Sequence, residues 1–180
     1  TQKAQDDKRK QQAQDRFHEP DPALPPMEVA DLPDTLRDGV RGVGWPSLMP
    51  VQQRAVPYML AGQDLIVQAR TGTGKTGAFL LPLLELLDPD VKEVQALVLG
   101  PTRELARQIL AEFDRMNGGL PGDEQLRTVA VYGGVGYGPQ IDAFKGGAQL
   151  VVGQTEHRDV ALGVGRRRRR HHCGQRAHDP

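Results

Sequence analysis

One cysteine, one tryptophan, three tyrosines and four phenylalanines are all that 180 residues contain of these types. The lone Cys173 excludes an internal disulfide framework and leaves a reducing, cytoplasmic setting as the expectation. No run approaches the roughly 18 uninterrupted apolar residues of a membrane span, so no membrane contact is expected. The opening stretch TQKAQDDKRKQQAQDRF has no apolar segment, and no secretory signal is expected in it. Hydrophobic residues are 38% of the chain, below the roughly 45–50% of an ordinary globular protein. Part of the chain is therefore expected to stay outside a core. The length suits one domain.

Net charge is also missing, with 23 Lys plus Arg against 23 Asp plus Glu. The balance conceals two unlike parts. Residues 1–153 hold 16 basic and 20 acidic side chains, whereas 154–180 hold 7 Arg and 3 acids. The second part also carries Cys173 and four of the five His residues. Residues 1–26 are rich in Gln, Lys and Asp, then in Pro, with Phe17 and Leu24 as their sizeable apolar groups. Such a segment buries too little surface to offset its ordering entropy, so a disordered polar arm is expected.

Between these ends, strand and helix signals alternate. Leu36, Val40 and Val43 recur at helical spacing, with Pro33 placed for a first helical turn. A helix is expected over 51–60, ending at Gly62, and then a buried strand over 64–69. Further helices are expected over 75–87 (kinked at Pro82), 103–116 and 139–144. Short strands are expected over 96–99, 128–132 and 150–152. This order implies an α/β fold, a parallel sheet with helices on both faces.

The strongest chemical signal is ARTGTGKT at 69–76, between the expected strand and helix. Gly72 and Gly74 permit a tight turn whose N–H groups face a polyphosphate at the positive end of a helix. Lys75 adds a mobile charge for the β- and γ-phosphates, and the Thr76 hydroxyl suits Mg²⁺. Arg70, Thr71 and Thr73 complete the loop. Nucleoside triphosphate binding follows, although Ala69 stands where the general pattern begins with Gly.

After a strand comes PTRELARQI at 101–109, and upstream lies GWPSLMPVQQ at 44–53. YGG occupies 132–134. Together with the phosphate loop, these motifs closely resemble the DEAD-box family of RNA-dependent ATPases over about residues 27–153. The resemblance looks closest to its heat-resistant RNA-dependent members. It implies the first of two RecA-like domains, ATP and Mg²⁺ as cofactors, and single-stranded or short-duplex RNA as partner. It places Gln52 on adenine, whose N7 and N6 match an amide in a bidentate pair. It places Pro101, Thr102, Arg103, Glu104, Gly133 and Gly134 against RNA. Read without the family, Gln52 is a surface helix residue and 101–104 a helix start.

Departures accompany the matches. The family's adenine-stacking aromatic aligns with Met27, or with Val29 across a small gap. Its TPGR motif is replaced after Val152 by GQTEHRD, where Thr155 and Arg158 keep the spacing only with an insertion. The sequence DEAD does not occur, and Asp123-Glu124 is no substitute for it. Loss of its metal support and water activation leaves no complete catalytic set, with Lys75 and Thr76 as the supporting residues. A partner that would supply a second domain is unknown.

The segment 154–180 contains five consecutive Arg at 166–170, then His171, His172 and Cys173, with His178 beyond. It is expected to be disordered or frame-shifted. A natural basic RNA-binding tail is the alternative reading, and a metal cluster lacks a second group at finger-like spacing. The functional alternatives to a helicase fragment are a non-catalytic nucleotide- and RNA-binding module or a product without function. If the tail is out of frame, another frame of the coding DNA beyond Gly153 encodes TPGR and then DEAD. Sequencing that DNA decides the matter, and their absence from both other frames refutes the frame shift.

Overall fold

The computed structural model describes residues 22–133, 136–155 and 163–166. Helices are α1 (Asp34–Val43), α2 (Pro50–Leu60), α3 (Lys75–Leu86), α4 (Arg103–Asn117) and α5 (Tyr137–Lys145). Strands are β1 (Ala96–Gly100), β2 (Thr128–Val131), β3 (Leu150–Gln154) and β4 (Gly163–Arg166).

The sheet order is β2-β3-β1-β4. β3 pairs in parallel with β1 and β2, aligning Gly100 with Gln154 and Val131 with Gly153. The three parallel strands thus end side by side. Ala96 and Val98 of β1 join Leu150 and Val152 of β3 on one sheet face, against α1, α3 and α4. On α4, Ala106, Ile109, Phe113 and Met116 follow the three-four spacing of a core-facing stripe, and all are fully buried. The opposite face is smaller: Val129, Ala148 and Val151 pack with Val131 and with Ala143 of α5.

Two buried amides lock the strand ends. Gln149 Oε1 accepts from Arg127 N–H at 2.7 Å, and its Nε2 donates to the Pro89 carbonyl at 2.8 Å. Asn117 bonds both the N–H and the carbonyl of Leu126 at 2.8 Å. Each side chain is nearly sealed from water, so its bonds satisfy groups that would otherwise be costly to bury. On α4, desolvation by partial burial raises the Asp114 carboxyl above its usual pKa, and a hydrogen bond from the Thr128 hydroxyl partly opposes this.

Three sequence expectations change. Residues 64–69 form no ladder, although their side chains alternate as a strand's would. Leu65, Val67 and Ala69 pack on Val51, Ala55 and Ala78, while Ile66 is 101% exposed. Apolar alternation recorded which face is covered; it could not supply a strand beside it. Second, Gly163–Arg166 in the expected disordered tail lies antiparallel to β1, so the described sheet is not wholly parallel. Third, the expected polar arm is docked at its end, where Leu24 N–H donates to Tyr58 Oη at 2.9 Å. As expected, α3 is a helix that includes Pro82, which is buried. Phe17, Gly134, His157, Arg158 and residues 167–180, which include four of the five consecutive Arg, His171, His172, Cys173 and His178, lie outside the described residues.

The helix layer is close-packed through glycines. A Cβ on Gly119 would stand 2.4 Å from the Asp38 carbonyl oxygen and 3.0 Å from Gly42 Cα. These obstacles are backbone atoms of α1, which leave no cheap relaxation. Gly119→Ala is expected to lower unfolding free energy by about 1–3 kcal/mol in urea denaturation. Gly122→Ala, where nothing lies within 4 Å, should leave the midpoint unchanged.

Candidate nucleotide and RNA interface

The phosphate loop enters α3 through Gly74, whose φ of 84° is left-handed. Gly72, with φ 80°, makes the other left-handed turn. The first helix-type bond runs from Ala78 N–H to the Gly74 carbonyl. The preceding N–H groups of α3 have no helical acceptor, as at any helix start. Lys75 Nζ donates to the carbonyls of Ala69 and Arg70, and Thr73 Oγ1 donates to Arg70 at 2.8 Å. Both carbonyl acceptors of Lys75 are neutral, so a charged phosphate oxygen is its stronger partner. Arg70, Thr71 and Gly72 are exposed; Thr76 is half-buried at the helix start. Glycines, a basic side chain and a hydroxyl here fit a triphosphate with Mg²⁺.

Gln52 is 2% exposed, which excludes the surface-residue reading. Its Oε1 accepts from Met49 N–H at 2.8 Å, closing the start of α2. Its Nε2 donates to the Gly74 carbonyl at 3.1 Å, tying α2 to the phosphate loop. A Cβ on Gly74 would lie 2.7 Å from that Nε2, so the loop approaches Gln52 this closely only with glycine. Sequence reading had no signal for this tether, because 22 residues separate its ends. Met27 and Val29 both pack against the main core, and Met27 N–H donates to the Gln53 carbonyl at 2.9 Å.

At the carboxyl end of the sheet, Pro101 and Thr102 follow β1. Thr102 Oγ1 accepts from Leu105 N–H at 3.1 Å and caps α4, with acidic Glu104 in its first turn. Arg103 lies with its guanidinium carbon 4.9 Å from the Tyr132 ring centroid. Tyr132 and Gly133 follow β2, and Thr155 N–H donates to the Gly100 carbonyl at 2.9 Å. The structure therefore brings 101–104 beside 132–133, while the nucleotide loop lies before α3. Tyr132 itself was missed by the sequence reading, where it was the end of a strand. Asp123 and Glu124 lie in an exposed turn after Leu120.

A family model described as DEAD/DEAH box helicase matches residues 49–174, running past Gly153 into the basic segment. The chain belongs to this family. The ATP-dependent RNA helicase DeaD of Mycobacterium tuberculosis is 42% identical over 140 residues, which cover 76% of this chain and 24% of that protein. Its namesake from Escherichia coli is 41% identical over 116 residues, covering 64% and 18%. The chain thus spans about a quarter or less of the length of these relatives. The crystal structure of a DEAD box protein from the hyperthermophile Methanococcus jannaschii superposes with a TM-score of 0.60 at 38% identity, covering 69% of this chain and 33% of that one. Mss116p bound to ssRNA and AMP-PNP gives 0.64 at 27% identity, covering 73% and 30%. The fold is accordingly that of a RecA-like DEAD-box domain, represented in part.

The Gln52 tether makes a prediction that needs no nucleotide. Gln52→Ala leaves the Met49 N–H without its acceptor and cuts the link to the Gly74 carbonyl, which keeps its bond from Ala78 N–H, at a cost of about 1–3 kcal/mol. Thermal unfolding of the unliganded chain should fall accordingly; an unchanged midpoint would show that the amide holds nothing together.

Proposed function

We propose that this chain carries the ATP- and RNA-contacting part of the first RecA-like domain of a DEAD-box RNA helicase. The phosphate loop carries the reading: Gly72 and Gly74 shape it, and Lys75 sits at its mouth. Arg70, Thr71, Thr73 and the helix-start N–H groups would surround the phosphates, and Thr76 would ligate Mg²⁺. Gln52 uses one Oε1 lone pair and one Nε2 hydrogen within the protein. It keeps one of each, the pair that adenine N7 and N6 require.

RNA would lie across the carboxyl ends of β1, β2 and β3. Pro101, Thr102, Arg103, Glu104, Gly133 and Gly134 are the proposed contacts. Thr102 Oγ1 accepts the α4 cap bond from Leu105 N–H, which leaves its O–H free to donate to a phosphate oxygen. Mss116p, with the same fold, is described with ssRNA bound, which supports the assignment. In the intact helicase, RNA-coupled ATP hydrolysis would drive separation of short duplexes.

A second reading rests on one observation: DEAD does not occur in the sequence. Without its acidic groups, metal positioning and water activation have no source in this chain. The chain by itself would then be a non-catalytic binding module. Among the described residues no helix is long and apolar enough to cross a membrane.

A fluorescent ATP analogue with Mg²⁺ should bind the full chain, and Lys75→Ala should weaken it at least about tenfold by removing a charge-assisted phosphate contact. Phosphate release should stay at background with or without RNA. Failure of the analogue to bind would refute the nucleotide assignment, whereas RNA-stimulated release abolished by Lys75→Ala would refute the module reading.

A further inference from the structure

We infer that Tyr132 is a positioning residue, whose ring holds the Arg103 guanidinium over the end of the sheet for an RNA phosphate. The inference rests on the RNA reading above and assigns to Tyr132 a role outside the glycines that follow it. The 4.9 Å separation falls within the range of a cation–π contact.

Topology makes this pair informative. Arg103 follows β1 and Tyr132 follows β2, and β3 lies between those strands. Neighbouring strands are about 4.8 Å apart, so the two backbones diverge from positions about two spacings apart. A long guanidinium side chain and an aromatic ring together bridge that interval. Both residues are half-buried, which leaves the pair anchored from one side and open to solvent on the other.

Electrostatics says what the pair is for. Arg103 is the first residue of α4, where the helix dipole disfavours a cation. The structure gives it no ion pair with a carboxylate among the described residues, and Glu104 beside it is exposed. The ring's negative face compensates part of this charge without neutralising it. An anionic oxygen placed there would meet the guanidinium, and a planar, ring-stacked guanidinium loses little freedom on binding it. The Tyr132 hydroxyl is not required by this argument; the ring is.

The test uses the full chain and fluorescein-labelled single-stranded oligouridine, with affinity measured across a salt series. Arg103→Ala should weaken binding about three- to tenfold and reduce the salt slope by about 0.7, the value for one phosphate contact to a single strand. Tyr132→Leu should do the same, and Tyr132→Phe should stay within about twofold of the parent. The double variant Arg103→Ala/Tyr132→Leu should bind no more weakly than Arg103→Ala alone. Additive losses would overturn the inference, because Tyr132 would then contact RNA by itself. Loss in Arg103→Ala with none in Tyr132→Leu would overturn it as well. The Arg103 Nε–H resonance, measured without RNA, should carry a ring-current shift that Tyr132→Phe keeps and Tyr132→Leu removes. That shift persisting while Arg103→Ala leaves RNA affinity intact would sink the RNA reading, with the side-chain pair still standing. Its absence from the parent chain would refute the pair, whatever the RNA result.

Discussion

β3 hydrogen-bonds β1 on one side and β2 on the other, both in parallel, and the remaining placements follow from that pairing. Parallel neighbours need crossovers, and the crossovers supply α4 and α5. α4 returns beneath one sheet face and α5 covers part of the other. The same pairing puts the carboxyl ends of β1, β2 and β3 side by side, at Gly100, Val131 and Gln154. Residues distant in sequence become one surface there. Brought to that edge, Arg103 meets Tyr132, although 29 positions separate them.

The buried amides make this arrangement specific. Apolar faces alone would tolerate a shift of one strand against another, since Val, Leu and Ala occupy both faces. Gln149 does not, because its two ends must find Arg127 N–H and the Pro89 carbonyl together. Asn117 likewise couples the end of α4 to the approach to β2 through Leu126. A displaced register would leave each amide buried with its partners out of reach, and the penalty for such groups exceeds the gain of a mean hydrogen bond. The sheet edge that would contact RNA is thus fixed from its opposite end.

Local patterns made the helices legible. The spacing of Ala106, Ile109, Phe113 and Met116, with Thr102 before them, contains its own start and its own buried face. Gly72, Gly74 and Lys75 were readable for the same reason, since loop geometry and charge are local properties. Gln52 was readable as a family position but not as a tether, because its partner carbonyl comes from another element. The segment 64–69 marks the boundary between these cases. Its alternation identified the covered face, and Leu65, Val67 and Ala69 do pack inward. Pairing depends on what lies alongside, and among the described residues nothing hydrogen-bonds it into the sheet. Gly163–Arg166 fails in the opposite sense: glycine and arginine give no strand signal, yet the free edge of β1 accepts that backbone.

That leaves the phosphate loop supported from the helix side. In a sheet, a ladder would fix the residues leading into the loop. Here the apolar contacts to Val51, Ala55 and Ala78 hold them against α2 and α3 instead. Gln52 then fixes Gly74, and the Lys75 ammonium gathers the carbonyls of Ala69 and Arg70. Trp45 adds to the same support, since a Cβ on Gly77 would stand 2.3 Å from its ring. The cost falls on the outward face, where Ile66 and the strand-like backbone meet water together. An extended segment with an exposed apolar side chain and free ladder positions favours association with another strand. The loop's shape and that exposed edge are therefore separable: α2 maintains the first, while the second depends on whatever strand can lie beside residues 64–69.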